Sequence, residues 1–143
     1  GQGRSWKSTL SVQSVEQAET KLGDLGYSWD WMEDGSLRAT SPALPAVIDH
    51  GNGKQVFYNQ LIAAYMGWKG VRENPDSALS FGDGSSIPKQ ALEKIVELSE
   101  TCTFDVPWQD CDVALVNNYM AMHGRRAFSG ERKRQVLAAF AMD

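Results

Sequence analysis

Apolar and polar positions change period several times along this chain, and each change marks an element. Val15, Ala18, Leu22 and Leu25 recur at helical spacing behind Ser14. Ser14 and Gln17 form the serine-to-glutamine signature of a helix start, and Gly26 ends the helix. From Tyr27 to Met32 the period drops to two, which predicts a strand with Tyr27, Trp29 and Trp31 on one face. Glu33-Asp34-Gly35-Ser36 reads as a turn, with Leu37 to Thr40 as the returning strand. Val47-Ile48 and Val56-Phe57-Tyr58 flank Gly51-Asn52-Gly53, a second hairpin signal built on Asn-Gly. Gly67 to Ser86 predicts a long surface loop, and loops of that length are usually functional or mobile. Pro88 suits a first helical turn, and Leu92, Ile95, Val96 and Leu98 give the helix after it an apolar face. Thr103–Val106 and Val113–Val116 predict short strands split by a turn at Trp108–Cys111, and a last strand runs from Arg134 to Phe140. Together these elements predict one domain over 1–143 with no internal boundary, mainly β with about two helices (α+β).

Composition narrows the class of protein. At 143 residues, 42% apolar and 22% charged, the chain is long enough to bury a core and too apolar for a disordered protein. A formal charge of -4 argues against a general nucleic-acid binder and against attachment to anionic membranes. No apolar run approaches the roughly 20 residues that span a bilayer, and Gly1-Gln2-Gly3-Arg4 has no signal-peptide character. Cys102 and Cys111 lie nine positions apart without a paired motif. Free, at least partly buried thiols and a cytoplasmic location are expected, and a structural zinc site is not.

The chemistry concentrates near the C-terminal end. His123 follows an expected strand and precedes a turn, where a rigid scaffold can aim a ligand. Iron(II) oxygenases hold their metal with two histidines and a carboxylate on one face, leaving positions for co-substrate and oxygen. A lone imidazole is more commonly a satisfied structural residue, so its surroundings decide. Arg125, Arg126, Arg132, Lys133 and Arg134 place five of the 14 Lys+Arg within ten positions. For most of them a solvated basic turn is explanation enough. An arginine entering a strand differs, because a planar guanidinium grips a carboxylate through two parallel hydrogen bonds. Alternation puts Arg134, Val136 and Ala138 on one face of the last strand, which favours Arg134 as an anion anchor, with Arg132 close behind.

Other residues weigh less. Trp31 and Trp29 are core or barrel-face residues first and substrate-stacking residues second. Asn59 reaches either a pocket or the cap of a turn. Gly82-Asp83-Gly84-Ser85-Ser86 lacks the lysine and glycine spacing of a phosphate-binding loop, and reads as a turn before the next helix. No serine, histidine and acid arrangement points to a hydrolase.

Several stretches resemble one family. They include Leu25-Gly26-Tyr27 with Trp29-Asp30-Trp31, Asp34-Gly35-Ser36-Leu37-Arg38, Gln55-Val56-Phe57-Tyr58-Asn59-Gln60 and Phe81 to Pro88. Trp108, Asp112 to Asn118, and His123-Gly124-Arg125-Arg126-Ala127-Phe128-Ser129-Gly130 continue the pattern. Across nearly its whole length the chain is similar to the C-terminal half of the taurine-dioxygenase-like (TauD/TfdA) iron(II)/2-oxoglutarate oxygenases. The resemblance implies part of a double-stranded β-helix, or jelly roll. It implies that His123 is the distal metal ligand, and that an arginine heading the last strand, Arg134 or Arg132, anchors the far carboxylate of 2-oxoglutarate.

Hydroxylation is the usual outcome in the family, and halogenation in relatives that lack the acidic ligand. Cys111 stands where the family has glycine, and Asn117 where it has aspartate, so a tight turn near the metal strand is either loosened or restyled. The family's His-x-Asp/Glu motif has no counterpart here, because His50 is followed by Gly51-Asn52 and His123 by Gly124-Arg125. The sequence therefore predicts a fragment or subunit of such an oxygenase. Fe(II) and 2-oxoglutarate need a complementary N-terminal half for full binding, and the substrate is a small molecule. The alternative is a non-catalytic truncated jelly-roll domain acting as a binding or oligomerisation module. Exposed sheet edges would favour self-association or pairing with the complementary half in either case.

Overall fold

Local rules account for the first third of the chain. A computed structural model describes residues 4–126, 129, 135 and 137–139. A short helix α1 (Trp6–Leu10) starts at Ser5, whose side chain accepts the Ser8 N–H. Helix α2 (Val15–Asp24) starts at Ser14, whose hydroxyl accepts the Gln17 N–H at 3.3 Å, while the Gln17 side chain accepts the Gln13 N–H at 2.8 Å. Gly26 then turns left-handed at φ 73°, and the Tyr27 and Gly26 amides donate to the carbonyls of Leu22 and Gly23. That double closure satisfies carbonyls the helix end would otherwise leave unpaired. Ala18 and Leu22 are the buried face of α2.

Strand β1 (Ser28–Trp31) pairs antiparallel with β2 (Leu37–Thr40), with Trp31 opposite Leu37 and Trp29 opposite Ala39. Strand β3 (Ile48–Asp49) pairs with β4 (Gln55–Val56) around Asn52 and Gly53, whose φ values of 54° and 71° are those of the turn an Asn-Gly pair favours. Both expected hairpins are present.

The chain then departs from expectation. Helix α3 (Leu61–Gly67) occupies a stretch for which the pattern gave no element. A single 3-10 turn (Pro75–Ser77) interrupts the long loop, and α4 (Lys89–Thr101) follows Pro88. Tyr65 on α3 packs with Ile87 and Leu92, flanked by Leu61, Leu79 and Val96. The Tyr65 hydroxyl is buried without a hydrogen-bond partner among the described residues, at a cost of about 1–3 kcal/mol. Leu98, expected on the apolar face of α4, is 51% exposed. Six residues past Leu92, it has rotated off the buried stripe.

The expected strands Thr103–Val106 and Val113–Val116 are not formed among the described residues, which have no regular secondary structure or sheet pairing there. Phe104, Val113 and Leu115 are 84%, 94% and 101% exposed. A strand is stabilised by its neighbours, and alternation alone supplies none. The expected last strand rests on Arg134, Val136 and Phe140, which lie outside the described residues. Among the described residues four α-helices and two small hairpins make a mixed α+β fold, the expected class with more helix and less strand than expected. Both thiols are free and exposed, not partly buried. No helix among the described residues is long and apolar enough to cross a membrane.

Two turns carry a pH signature. Asp83 accepts both the N–H and the hydroxyl of Ser85, and Asp34 accepts the N–H of Ser36. Hydrogen bonds from Ser36 and Ser85 hold the two carboxyls below their ordinary value of 3.8. Ionisation therefore favours the folded turns fully above pH 3.8, and the gain disappears as pH falls through the lower folded values. In an NMR titration, the Ser36 and Ser85 amide resonances should move with a midpoint below pH 3.8.

Candidate functional site

Asn117 begins the segment that carries His123. Its side-chain oxygen accepts the Tyr119 N–H at 3.0 Å, and its carbonyl accepts the Met120 and Ala121 N–H groups, each at 3.0 Å. An asparagine supplies this turn with the same acceptor an aspartate would, so the turn is restyled, not lost. Just upstream, Cys111 has φ 73°, a left-handed conformation that suits glycine, and its exposed side chain packs little in return. Cys111→Gly should raise stability by about 0.5–1 kcal/mol, read as a higher melting temperature.

His123 is exposed, in irregular backbone beyond that turn. Three residues later Arg126 donates from Nη1 to both oxygens of Glu100, at 3.0 and 2.8 Å, and from Nε to Asp105 at 3.0 Å. The Glu100 carboxylate, with Asp105 beside it, pushes the guanidinium further above its ordinary range. Four residues before His123, the Tyr119 ring stacks on His50 and on Tyr58. Each such aromatic pair contributes about 0.5–1.5 kcal/mol beyond area burial. The sequence reading missed both contacts: Arg126 passed as a solvated charge, and Tyr119 drew no attention.

Asn59 and Trp31 make contacts of their own. Asn59 donates from its amide to the Ala46 carbonyl and accepts the Leu61 N–H, both at 2.9 Å, so its polar atoms tie the segment before β3 to the start of α3. Trp31 is half-buried, donates its indole N–H to Glu19 at 2.8 Å, and meets the Trp6 ring edge-on at 5.2 Å. An open groove between α1 and α2, bordered by Ser11, Glu16, Thr20 and Lys21, contains neither. Arg132 and Arg134 lie outside the described residues.

Residues 20–139 match the family model described as Taurine catabolism dioxygenase TauD, TfdA family. The chain belongs to the TauD/TfdA family. His123, Arg132 and Arg134 all fall inside the matched span. A clavaminate synthase-like protein of Arabidopsis thaliana is 36% identical over 132 residues, covering 92% of this chain and 40% of its own length. The dapdiamide synthesis protein DdaC of Enterobacter agglomerans is 28% identical over 141 residues, covering 90% of this chain and 42% of its own. The chain thus spans about two fifths of these curated relatives.

TauD/TfdA proteins are iron(II)/2-oxoglutarate oxygenases, so membership raises the question of whether the donors here fit iron. They do not fit it alone. No group of three or more histidine, cysteine or acidic side chains converges among the described residues, whereas a facial iron site needs three protein donors. One exposed imidazole could supply at most one of those donors.

Proposed function

We propose that this chain is the C-terminal, jelly-roll-completing part of an iron(II)/2-oxoglutarate-dependent oxygenase of the hydroxylase type. His123 supplies one metal ligand. Arg134, or else Arg132, holds the far carboxylate of 2-oxoglutarate through paired hydrogen bonds, which fixes the co-substrate's orientation. Asn59 and Trp31 border the substrate pocket, and the substrate is a small molecule in the cytoplasm. The remaining metal donors come from outside these 143 residues, on a complementary N-terminal portion with a His-x-Asp/Glu motif. The observation that carries this reading is the family match across residues 20–139, which takes in His123 and both arginines.

Succinate release tests it. A polypeptide joining this chain to its His-x-Asp/Glu-bearing portion should convert 2-oxoglutarate to succinate only with iron(II) supplied, and the 143-residue chain alone should not. The bare exposure of Phe104, Val113 and Leu115 also supports a second reading, a non-catalytic jelly-roll module that self-associates or binds a partner through these residues. If the joined polypeptide makes no succinate yet remains folded and oligomeric, the second reading replaces the first.

A further inference from the structure

The docking of Tyr119 has a geometry that bears on His123. Its ring centroid lies 6.2 Å from that of His50, with planes 17° apart, and 5.8 Å from that of Tyr58, with planes 29° apart. Ile48 and Val56 are register partners in the β3–β4 hairpin. His50 follows the end of β3 and Tyr58 the end of β4, and His50 donates its N–H to the Lys54 carbonyl across the turn. The Tyr119 ring stacks on both while Tyr119 stays 56% exposed, so it lies against the hairpin from outside.

The segment from Tyr119 to Arg126 is thus tethered at both ends to different elements. Arg126 holds the far end to Glu100 at the end of α4 and to Asp105 beyond it. Those ion pairs are more than half exposed, so salt screens them. An aromatic stack is not screened and is directional.

We propose that Tyr119 is a positioning residue for His123, its ring stacked on both His50 and Tyr58 so that the β3–β4 hairpin sets where the imidazole-bearing segment lies. Its importance for catalysis rests on the oxygenase reading above; the docking itself does not. The phenol hydroxyl makes no hydrogen bond among the described residues, so phenylalanine should serve as well.

With only two histidines in the chain, imidazole NMR resolves the two sites directly. In Tyr119→Ala the His50 ring signal should lose its ring-current displacement, and the His123 signal should shift as well. Amide exchange across 117–126 should quicken roughly five- to 150-fold, the loss of both aromatic pairs converted to an equilibrium constant. Tyr119→Phe should restore all three, and Tyr58→Leu, which removes one stacking partner, should move His123 less. Movement of His50 alone would make the stack a surface contact without a positioning role and overturn the proposal, as would no movement at all. In the joined polypeptide, Tyr119→Ala should lower kcat and iron affinity while leaving the KM for 2-oxoglutarate unchanged. Absent turnover in the wild-type joined polypeptide sinks the oxygenase reading, and the NMR result still decides the docking.

Discussion

His123→Ala in the joined polypeptide should eliminate iron uptake and turnover, while Arg134→Ala keeps iron and weakens 2-oxoglutarate. The two effects separate because the side chains are assigned different partners. An imidazole ligand contributes directly to the metal, so its loss should exceed the roughly 10–100-fold penalty of losing an outer-shell partner. A bidentate guanidinium–carboxylate pair is a hydrogen bond to a charged group, worth about 1.5–3 kcal/mol, which converts to roughly ten- to a hundredfold in co-substrate affinity. Iron binding by calorimetry and the KM for 2-oxoglutarate read the two losses independently. If Arg132→Ala weakens 2-oxoglutarate and Arg134→Ala does not, the anchor is Arg132. If His123→Ala leaves iron affinity intact, the ligand assignment fails outright.

Leu92→Ala should be the most damaging single truncation for stability. Leu92 is 1% exposed and packs with Tyr65 and Ile87. Removing its side chain leaves a cavity between α3 and α4 and costs about 2–5 kcal/mol, a large part of the roughly 5–15 kcal/mol that holds a typical domain folded. Leu98 on the same helix supplies the control. At 51% exposure, Leu98→Ala should stay within about 0.5 kcal/mol of the parent. Urea unfolding followed by circular dichroism compares them; equal midpoints would mean that α4 buries a different face.

What the sequence disclosed about the fold follows from how far each determinant reaches. The Ser14–Gln17 start, the Gly26 stop and the Asn52-Gly53 turn are settled by residues a few positions apart, and each formed as read. Thr103–Val106 and Val113–Val116 have a strand's residue types, but a strand also needs a neighbour, which no local pattern provides. Helix α3 was hidden because the strand-like Val56-Phe57-Tyr58 runs straight into it. The Asn59 cap and the Leu61–Tyr65 spacing were the signals available.

The candidate site divides in the same way. His123 was visible through the motif around it, and the matched family span includes it. Arg126 was not singled out, because its partners Asp105 and Glu100 lie 21 and 26 positions away. Tyr119 was invisible for the same reason, since His50 and Tyr58 approach it only after the chain folds back.

Two sets of buried apolar residues stand out, Ala18 and Leu22 on α2, and the cluster of Tyr65, Ile87 and Leu92 at α3 and α4. Because opening one group need not expose the other, the molecule should come apart in stages. Damage to the second group would then leave the N-terminal hairpin standing as a partly ordered remnant, with Trp31 still shielded against Trp6.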